Sequence, residues 1–171
     1  MYHFLKSIGK SPKVILNDPY PPYLSFLVSE VASEDVFIFA DNPEKASDRI
    51  CSSDLVICLD FNAFHRTAKL EHPLAGAKGR KMLIDHHLHP ARELFDLSFS
   101  ETEVSSASEL LYHILIATER ISGNAERLPK ECMDALLTGM TTDTNNFANS
   151  VYPSTLRMAS SLLEAGTDRD A

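Results

Sequence analysis

The stretch KMLIDHHLHP, residues 81–90, decides the fold of this chain. It places a short apolar run, residues 82–84, directly before one acid and two imidazoles, Asp85, His86 and His87. Strands that are buried on both faces of a parallel sheet are continuous apolar runs of this kind. Open parallel sheets bind ligands outside the carboxyl ends of their strands. The stretch therefore predicts a buried strand that ends at a functional site.

Short apolar runs recur along the first two thirds of the chain and alternate with segments of helical period. The predicted strands are residues 14–16, 36–39, 55–59, 82–84 and 97–100. The predicted helices between them are residues 22–29, a helix that begins at Pro43 after the cap Asn42, and residues 63–70. This alternation predicts an α/β fold, Rossmann-like, with a mostly parallel sheet flanked by helices and joined by right-handed crossovers.

The C-terminal part is predicted to be largely helical. Helical periods cover residues 105–121, 130–141 and 154–165, and Gly166 ends the last of them. A length of 171 residues favours one domain, residues 1–171. No apolar run reaches membrane-spanning length, and the start MYHFLKSIGK lacks the pattern of a secretory signal, so we expect no membrane contact and a cytoplasmic location.

Two further acids follow predicted elements and can converge with the Asp-His-His stretch. Asp60 follows the apolar run LVICL, and Asp143 lies in GMTTDTNNF at the end of a predicted helix. Carboxylate and neutral imidazole suit manganese, iron or zinc, whereas magnesium favours oxygen alone, so manganese fits this mixture best. Other interpretations stay open at this point. Asp60 can cap a helix, Asp143 can be a turn acid, and a histidine pair can be hydrogen-bonded surface structure.

The ordered motifs resemble those of the DHH phosphoesterase superfamily. The resemblance runs through NDPYPPYLSFL, LVICLD, LIDHH, GMTTDTNNF and SVYPSTLRMASSLLEAG, and so covers nearly the whole chain. Within the superfamily the chain is most similar to small bacterial and archaeal enzymes that degrade very short RNA and dephosphorylate 3′-phosphoadenosine 5′-phosphate. The resemblance implies short RNA, DNA or nucleotide substrates. A formal net charge of −8 argues only against a general affinity for the nucleic-acid backbone.

The resemblance also implies a role for each site residue. Asp60 would bridge two Mn²⁺ ions, with Mg²⁺ as the alternative metal, and His86 and Asp143 would complete the shell of the second ion. Asp85 would orient the site, and His87 would contact the scissile phosphate. Such an ion pair, about 4 Å apart, activates a water as the nucleophile.

Phe147, four residues after Asp143, can stack on a base, as aromatic side chains do in single-strand recognition. Packing in the core is the other interpretation of this phenylalanine.

The chain departs from the superfamily pattern at both ends. A first strand that carries a His-x-x-x-Asp-x-Asp motif, and a smaller C-terminal substrate-binding domain, are expected in the superfamily and have no counterpart in this sequence. We therefore expect a piece of a longer enzyme that alone hydrolyses phosphoesters poorly or not at all. A missing strand leaves unpaired backbone at a sheet edge, so self-association, as in a homodimer, is expected as well.

Three functions stay open on the sequence. The first is hydrolysis of short oligonucleotides or nucleoside 3′,5′-bisphosphates. The second is hydrolysis of another phosphate substrate, namely pyrophosphate, polyphosphate or a cyclic dinucleotide. The third is a non-catalytic remnant that acts as a binding module.

Overall fold

The computed structural model describes residues 1–167, so residues 168–171 of the predicted domain lie outside the described part. Helices alternate with parallel strands, which confirms the predicted α/β class. The strands are β1 (Val14–Leu16), β2 (Val36–Ile38), β3 (Leu55–Leu59), β4 (Arg80–Asp85) and β5 (Leu97–Ser100). The helices are α1 (Tyr2–Ser7), α2 (Ser25–Ser29), α3 (Pro43–Cys51), α4 (Glu71–Gly76), α5 (Ala107–Ile116), α6 (Lys130–Asp143) and α7 (Pro153–Glu164). Within residues 1–167, no helix has both the length and the apolar character needed to cross a membrane.

The strands form two parallel sheets where the sequence predicted one. β1 pairs with β2, and β4 lies between β3 and β5 in a second sheet. Within the second sheet, Leu83 of β4 lies opposite Cys58 of β3 and Ser98 of β5. The apolar runs predicted which segments are strands, but the order in which strands pair depends on long-range contacts that local patterns do not contain.

β4 is the strand around which both hydrophobic cores are built. Its neighbouring residues Leu83 and Ile84 are both 0% exposed and point to opposite faces of the sheet. Leu83 packs in a cluster with Ile50 of α3 and Leu74 of α4, whereas Ile84 packs against the helices α5, α6 and α7. The carboxyl end of β4 is therefore held from both sides.

Several helices differ in extent from the predictions. α3 begins as expected, since the Asn42 side chain accepts the Lys45 N–H at 3.0 Å. α5 is shorter than residues 105–121, because Ser106 caps its start and the Gly123 N–H donates to the Ile116 carbonyl after its end. The segment 63–70 was predicted as one helix, but residues 64–70 form 3-10 turns that are interrupted by a kink at Ala68, whose φ is +49°. Residues 22–29 likewise divide into a 3-10 turn and α2.

A buried acid fixes α1 to the segment before β2. Asp35 is 4% exposed, and it accepts a hydrogen bond from the Tyr2 hydroxyl at 2.6 Å and from the Lys6 ammonium at 3.3 Å. Lys13 pairs with the other carboxylate oxygen. The bonds from Lys13 and Tyr2 outweigh the effect of burial and lower the pKa of Asp35 to about 2. The ionised form of Asp35 therefore stabilises the fold.

We expect Asp35→Asn to remove part of the acid sensitivity of folding. The stabilisation by Asp35 is complete above its ordinary pKa of 3.8 and is lost as the pH falls toward the lowered value of about 2. After allowance for the exposure of the lysines, the substitution should cost about 1–2 kcal/mol at pH 6 and much less near pH 2. Urea unfolding followed by circular dichroism at both pH values measures this difference. Asp18→Asn, which breaks an exposed pair with Lys69, is the control. An equal cost of Asp35→Asn at both pH values would contradict the prediction.

Candidate metal centre

β3 delivers Asp60 to the carboxyl edge of its sheet. Asp60 directly follows Leu59, and its N–H donates to the Ile84 carbonyl of β4 at 3.1 Å, which continues the ladder by one bond. The φ of Asp60 is +66°, a left-handed conformation that is uncommon for residues other than glycine. The chain therefore leaves the pleat at Asp60 and turns its carboxylate toward the end of β4.

β4 delivers the Asp-His-His stretch, and its acid is committed to one partner. Asp85 is the last residue of β4 and is 0% exposed. One of its carboxylate oxygens accepts the His87 N–H at 3.0 Å, and the other lies 2.8 Å from His87 Nδ1. Asp85 thus holds both the backbone and the ring of His87. Its role in orienting a catalytic site stays a prediction.

His86 lies between the two other acids. Its Nε2 is 3.5 Å from Asp60 Oδ1 and 3.3 Å from Asp143 Oδ2. Asp143 is the last residue of α6, so a helix end and two strand ends meet at this imidazole. The chain turns sharply after Asp143, since residues 145–147 all have positive φ and the Phe147 N–H donates to the buried Thr144 hydroxyl at 3.0 Å.

These side chains fit a divalent metal ion. Ligand atoms of Asp60, His86 and His87 all lie within 4.8 Å of one another, and Asp143 adds a carboxylate on the other side of His86. A set of imidazole and carboxylate donors is the type that binds manganese, iron or zinc. The geometry supports a metal site without identifying the metal.

The cluster of Asp60, His86 and Asp143 carries an excess of negative charge, which a bound cation would neutralise. Burial first, and then the negative charge of Asp60, raise the pKa of the Asp143 carboxyl. The hydrogen bond to Asp60 raises the pKa of His86 against the lowering effect of burial, and Asp143 raises it further. A proton on His86 partly neutralises the two acids, and a divalent cation among them would do so more completely.

The structure also bears on the local interpretations of Asp60, Asp143 and Phe147. Asp60 caps no helix, because the 3-10 helix at residues 64–70 begins after Ala63 without a side-chain cap. Asp143 contacts His86 in addition to ending α6. Phe147 is partly buried and packs against the cluster formed by α5, α6 and α7. Its role in base stacking stays a prediction.

Sequence patterns missed a cleft of about 190 Å³ beside the acids. The cleft is lined by the end of β3, the start of α5 and the end of α6, namely Leu59, Asp60, Ser106, Ala107, Ser108, Leu111, Gly139, Thr142 and Asp143. A Cβ atom at Gly139 would lie 2.1 Å from Ser108 Oγ, so glycine permits the close approach of α5 and α6 here. The local sign of this cleft is the run of small residues in SSAS, residues 105–108, and TGM, residues 138–140. Its significance is apparent only once α5 and α6 are known to pack together.

Comparison with known proteins identifies the family. The model of the DHH family, N-terminal domain, matches residues 1–140. The chain is also similar to a solved structure described as an exopolyphosphatase-related protein from Bacteroides fragilis, with 35% identity and a TM-score of 0.86. That match covers 99% of this chain and 48% of the other, so this chain spans about half the length of its structural relative. No curated protein matches the chain. With a family model that covers most of its length and the Asp-His-His stretch at the carboxyl end of its central strand, the chain belongs to the DHH family.

Proposed function

We propose that this chain is the metal-binding part of a Mn²⁺-dependent phosphoesterase that acts on short oligonucleotides or nucleoside 3′,5′-bisphosphates. The observation that carries the proposal is the meeting of Asp60, His86 and Asp143 beside a histidine that Asp85 holds in place. Different residues would therefore bind the metal and orient the phosphate within one small volume. Membership of the DHH family supports the same reaction class.

The residues of this chain would divide the work as follows. Asp60, His86 and Asp143 would hold metal, and a pair of Mn²⁺ ions would supply an activated water and stabilise charge on the phosphoryl oxygens. Asp85 would keep Nδ1 of His87 engaged, which leaves the opposite edge of the ring for a phosphate oxygen. Within the described residues, Asp60 and Asp143 meet at His86 as one set of ligands. Since a two-ion site needs a second set, we expect the isolated chain to hydrolyse its substrate slowly.

Polyphosphate is the second candidate substrate. The relative that shares 35% identity is described as exopolyphosphatase-related, and hydrolysis of a phosphoanhydride would need the same kind of metal centre. A binding module without catalysis is the third outcome that an experiment must separate. Homodimer formation and a cytoplasmic location also stay predictions. The former is supported by Leu55 and Leu59, which are 42% and 39% exposed on β3.

A substrate panel tests the proposal. The protein would be incubated with Mn²⁺ and, separately, a 5′-phosphorylated diribonucleotide, adenosine 3′,5′-bisphosphate, pyrophosphate, polyphosphate and a cyclic dinucleotide, with an EDTA-treated sample and Asp60→Ala as controls. We expect Mn²⁺-dependent release of mononucleotide or phosphate from one of the first two substrates. Release from polyphosphate alone would favour the second candidate. Because slow hydrolysis is expected of this chain, the assay would use a high protein concentration and long incubation. Binding of Mn²⁺ and a nucleotide without any turnover under those conditions would favour the binding module.

His87→Ala is expected to separate catalysis from metal binding. His87 lies within 4.8 Å of the Asp60 and His86 ligand atoms, but its Nδ1 is engaged by Asp85 at 2.8 Å, so we assign the ring to phosphate and not to metal. The substitution should lower Mn²⁺-dependent hydrolysis about 100-fold, as loss of one group that stabilises the transition state does, and change Mn²⁺ affinity less than about threefold. Titration calorimetry gives the affinity, and His86→Ala is the comparison. A large loss of Mn²⁺ affinity in His87→Ala would make His87 a ligand instead.

A further inference from the structure

Asn62 joins the two loops that carry the candidate ligands. It lies two residues after Asp60, and its side-chain amide donates to the Leu88 carbonyl at 2.7 Å, just beyond His87. The Asn62 carbonyl in turn accepts the Ala91 N–H at 2.9 Å. Asn62, in the loop that follows β3, therefore makes two hydrogen bonds to the loop that follows β4.

Phe61 on the first loop and Phe95 beyond the second pack in the cluster around Leu83, but the residues between His87 and Ala91 belong to neither core cluster. Leu88 is 65% exposed, so its side chain does not anchor the second loop in a core, and His89 has a φ of +57°. On the first loop, Asp60 has a φ of +66°, and backbone in that region persists only where surrounding contacts hold it. The hydrogen bond from the Asp60 N–H to Ile84 fixes one side of Asp60, and the two bonds of Asn62 fix the other.

We propose that Asn62 is a positioning residue of the candidate metal centre. By joining the loop of Asp60 to the loop of the histidines, it sets the gap of 3.5 Å between Asp60 Oδ1 and His86 Nε2, which metal must bridge. The inference rests on the proposed function for its metal-binding consequence. The join between the loops stands on the hydrogen bonds themselves.

The chemistry of the side chain explains why asparagine suits this position. An amide carries a donor for the Leu88 carbonyl, whereas aspartate offers only acceptors and would add a third negative charge near Asp60 and Asp143. Capping does not account for Asn62, because the next helical segment begins after Ala63 and has no side-chain cap. Asn62→Ala and Asn62→Asp should therefore both remove the side-chain bond to Leu88 and leave the backbone bond to Ala91 in place, the second with almost no change in side-chain volume.

The test compares these two variants with Asn124→Ala. Asn124 also makes a side-chain hydrogen bond to the backbone, to the Glu126 N–H at 3.0 Å, but it lies before α6, whose other end carries Asp143. In the metal-free proteins we expect the imidazole NMR signals of His86 and His87 to shift in both Asn62 variants and to stay in place in Asn124→Ala. Titration calorimetry should show Mn²⁺ affinity about 10-fold weaker in the Asn62 variants, the size typical for loss of a group that orients ligands.

The outcomes separate this inference from the proposed function. Unchanged imidazole signals in the Asn62 variants would overturn the positioning role whether or not metal binds. Shifted signals with Mn²⁺ affinity within twofold of the unsubstituted chain would overturn it as well. If the unsubstituted chain fails to bind Mn²⁺ while the signals still shift, the metal proposal fails and the positioning of the two loops by Asn62 is upheld.

Discussion

Replacing Asp60 with alanine is expected to abolish the metal centre while leaving the fold intact. In the group of Asp60, His86 and His87, Asp60 is the one acid and lies near both histidines. Its side chain is exposed and contributes little to either core. Because metal ions supply several kcal/mol of transition-state stabilisation, Mn²⁺-dependent hydrolysis should fall more than about 1,000-fold. Mn²⁺ affinity should fall more than about 100-fold, beyond the loss expected for a group that only orients a ligand.

Calorimetry with Mn²⁺ and thermal unfolding without metal check both halves of this prediction. Asp41→Ala is the matched control, since Asp41 is an exposed acid just after β2 and the cap of α3 is supplied by Asn42. The melting temperature of the metal-free Asp60→Ala chain should stay close to that of the unsubstituted chain. Mn²⁺ binding that survives Asp60→Ala would place the metal elsewhere and remove the main support for the proposed function.

Replacing Glu109 with alanine is expected to cause the largest loss of stability among these substitutions. Glu109 is 0% exposed, and a single carboxylate oxygen accepts the Ser105 N–H at 2.8 Å, the Ser105 hydroxyl at 2.5 Å and the Thr155 hydroxyl at 2.7 Å. Glu109 thereby ties the start of α5 to α7. Burial alone would raise the pKa of this carboxyl. The hydrogen bonds, led by those from Ser105, lower the pKa by more than burial raises it, so the carboxyl is ionised near neutral pH.

The expected size follows from the donors that lose their acceptor. Each buried donor left without a partner costs about 1–3 kcal/mol, and partial rearrangement reduces the sum, so Glu109→Ala should lower the free energy of unfolding by about 3–5 kcal/mol. Glu109→Gln keeps one acceptor oxygen and should cost less. Glu119→Ala, at an exposed acid, should change stability by less than about 0.5 kcal/mol. Urea unfolding measures all three, and a loss below about 1 kcal/mol for Glu109→Ala would show that water or other groups satisfy the donors.

The strands were predictable because the signal for a buried strand is local. Runs such as LVICL and MLI are apolar throughout, and in the structure they are β3 and the buried part of β4. The family resemblance was carried by residues that follow those runs, and the family model confirms it. Helix limits were less predictable. In the stretch SSAS two serines compete to cap α5, and only the structure shows that Ser106 does so while Ser105 binds Glu109.

The groups that sequence patterns missed have partners far away along the chain. Asn62 and Leu88 are 26 positions apart, and Glu109 and Thr155 are 46 positions apart. Neither pair has a recurring spacing that a periodicity could reveal, since hydrogen bonds of this kind depend on which loops and helices become neighbours. The same holds for the division of the strands into two sheets.

The sequence by itself determined the α/β class, the positions of the strands and the residue types suited to a metal centre. These are local properties, since apolar runs form strands and acids and imidazoles keep their ligand chemistry wherever they lie. Only the tertiary structure decided that Asp60 and Asp143 both approach His86 Nε2 within 3.5 Å and that Asp85 is hydrogen-bonded to His87. Such proximity results from parallel pairing of β3 with β4 and from packing of α6 against the same core, and both are long-range contacts that no local pattern contains.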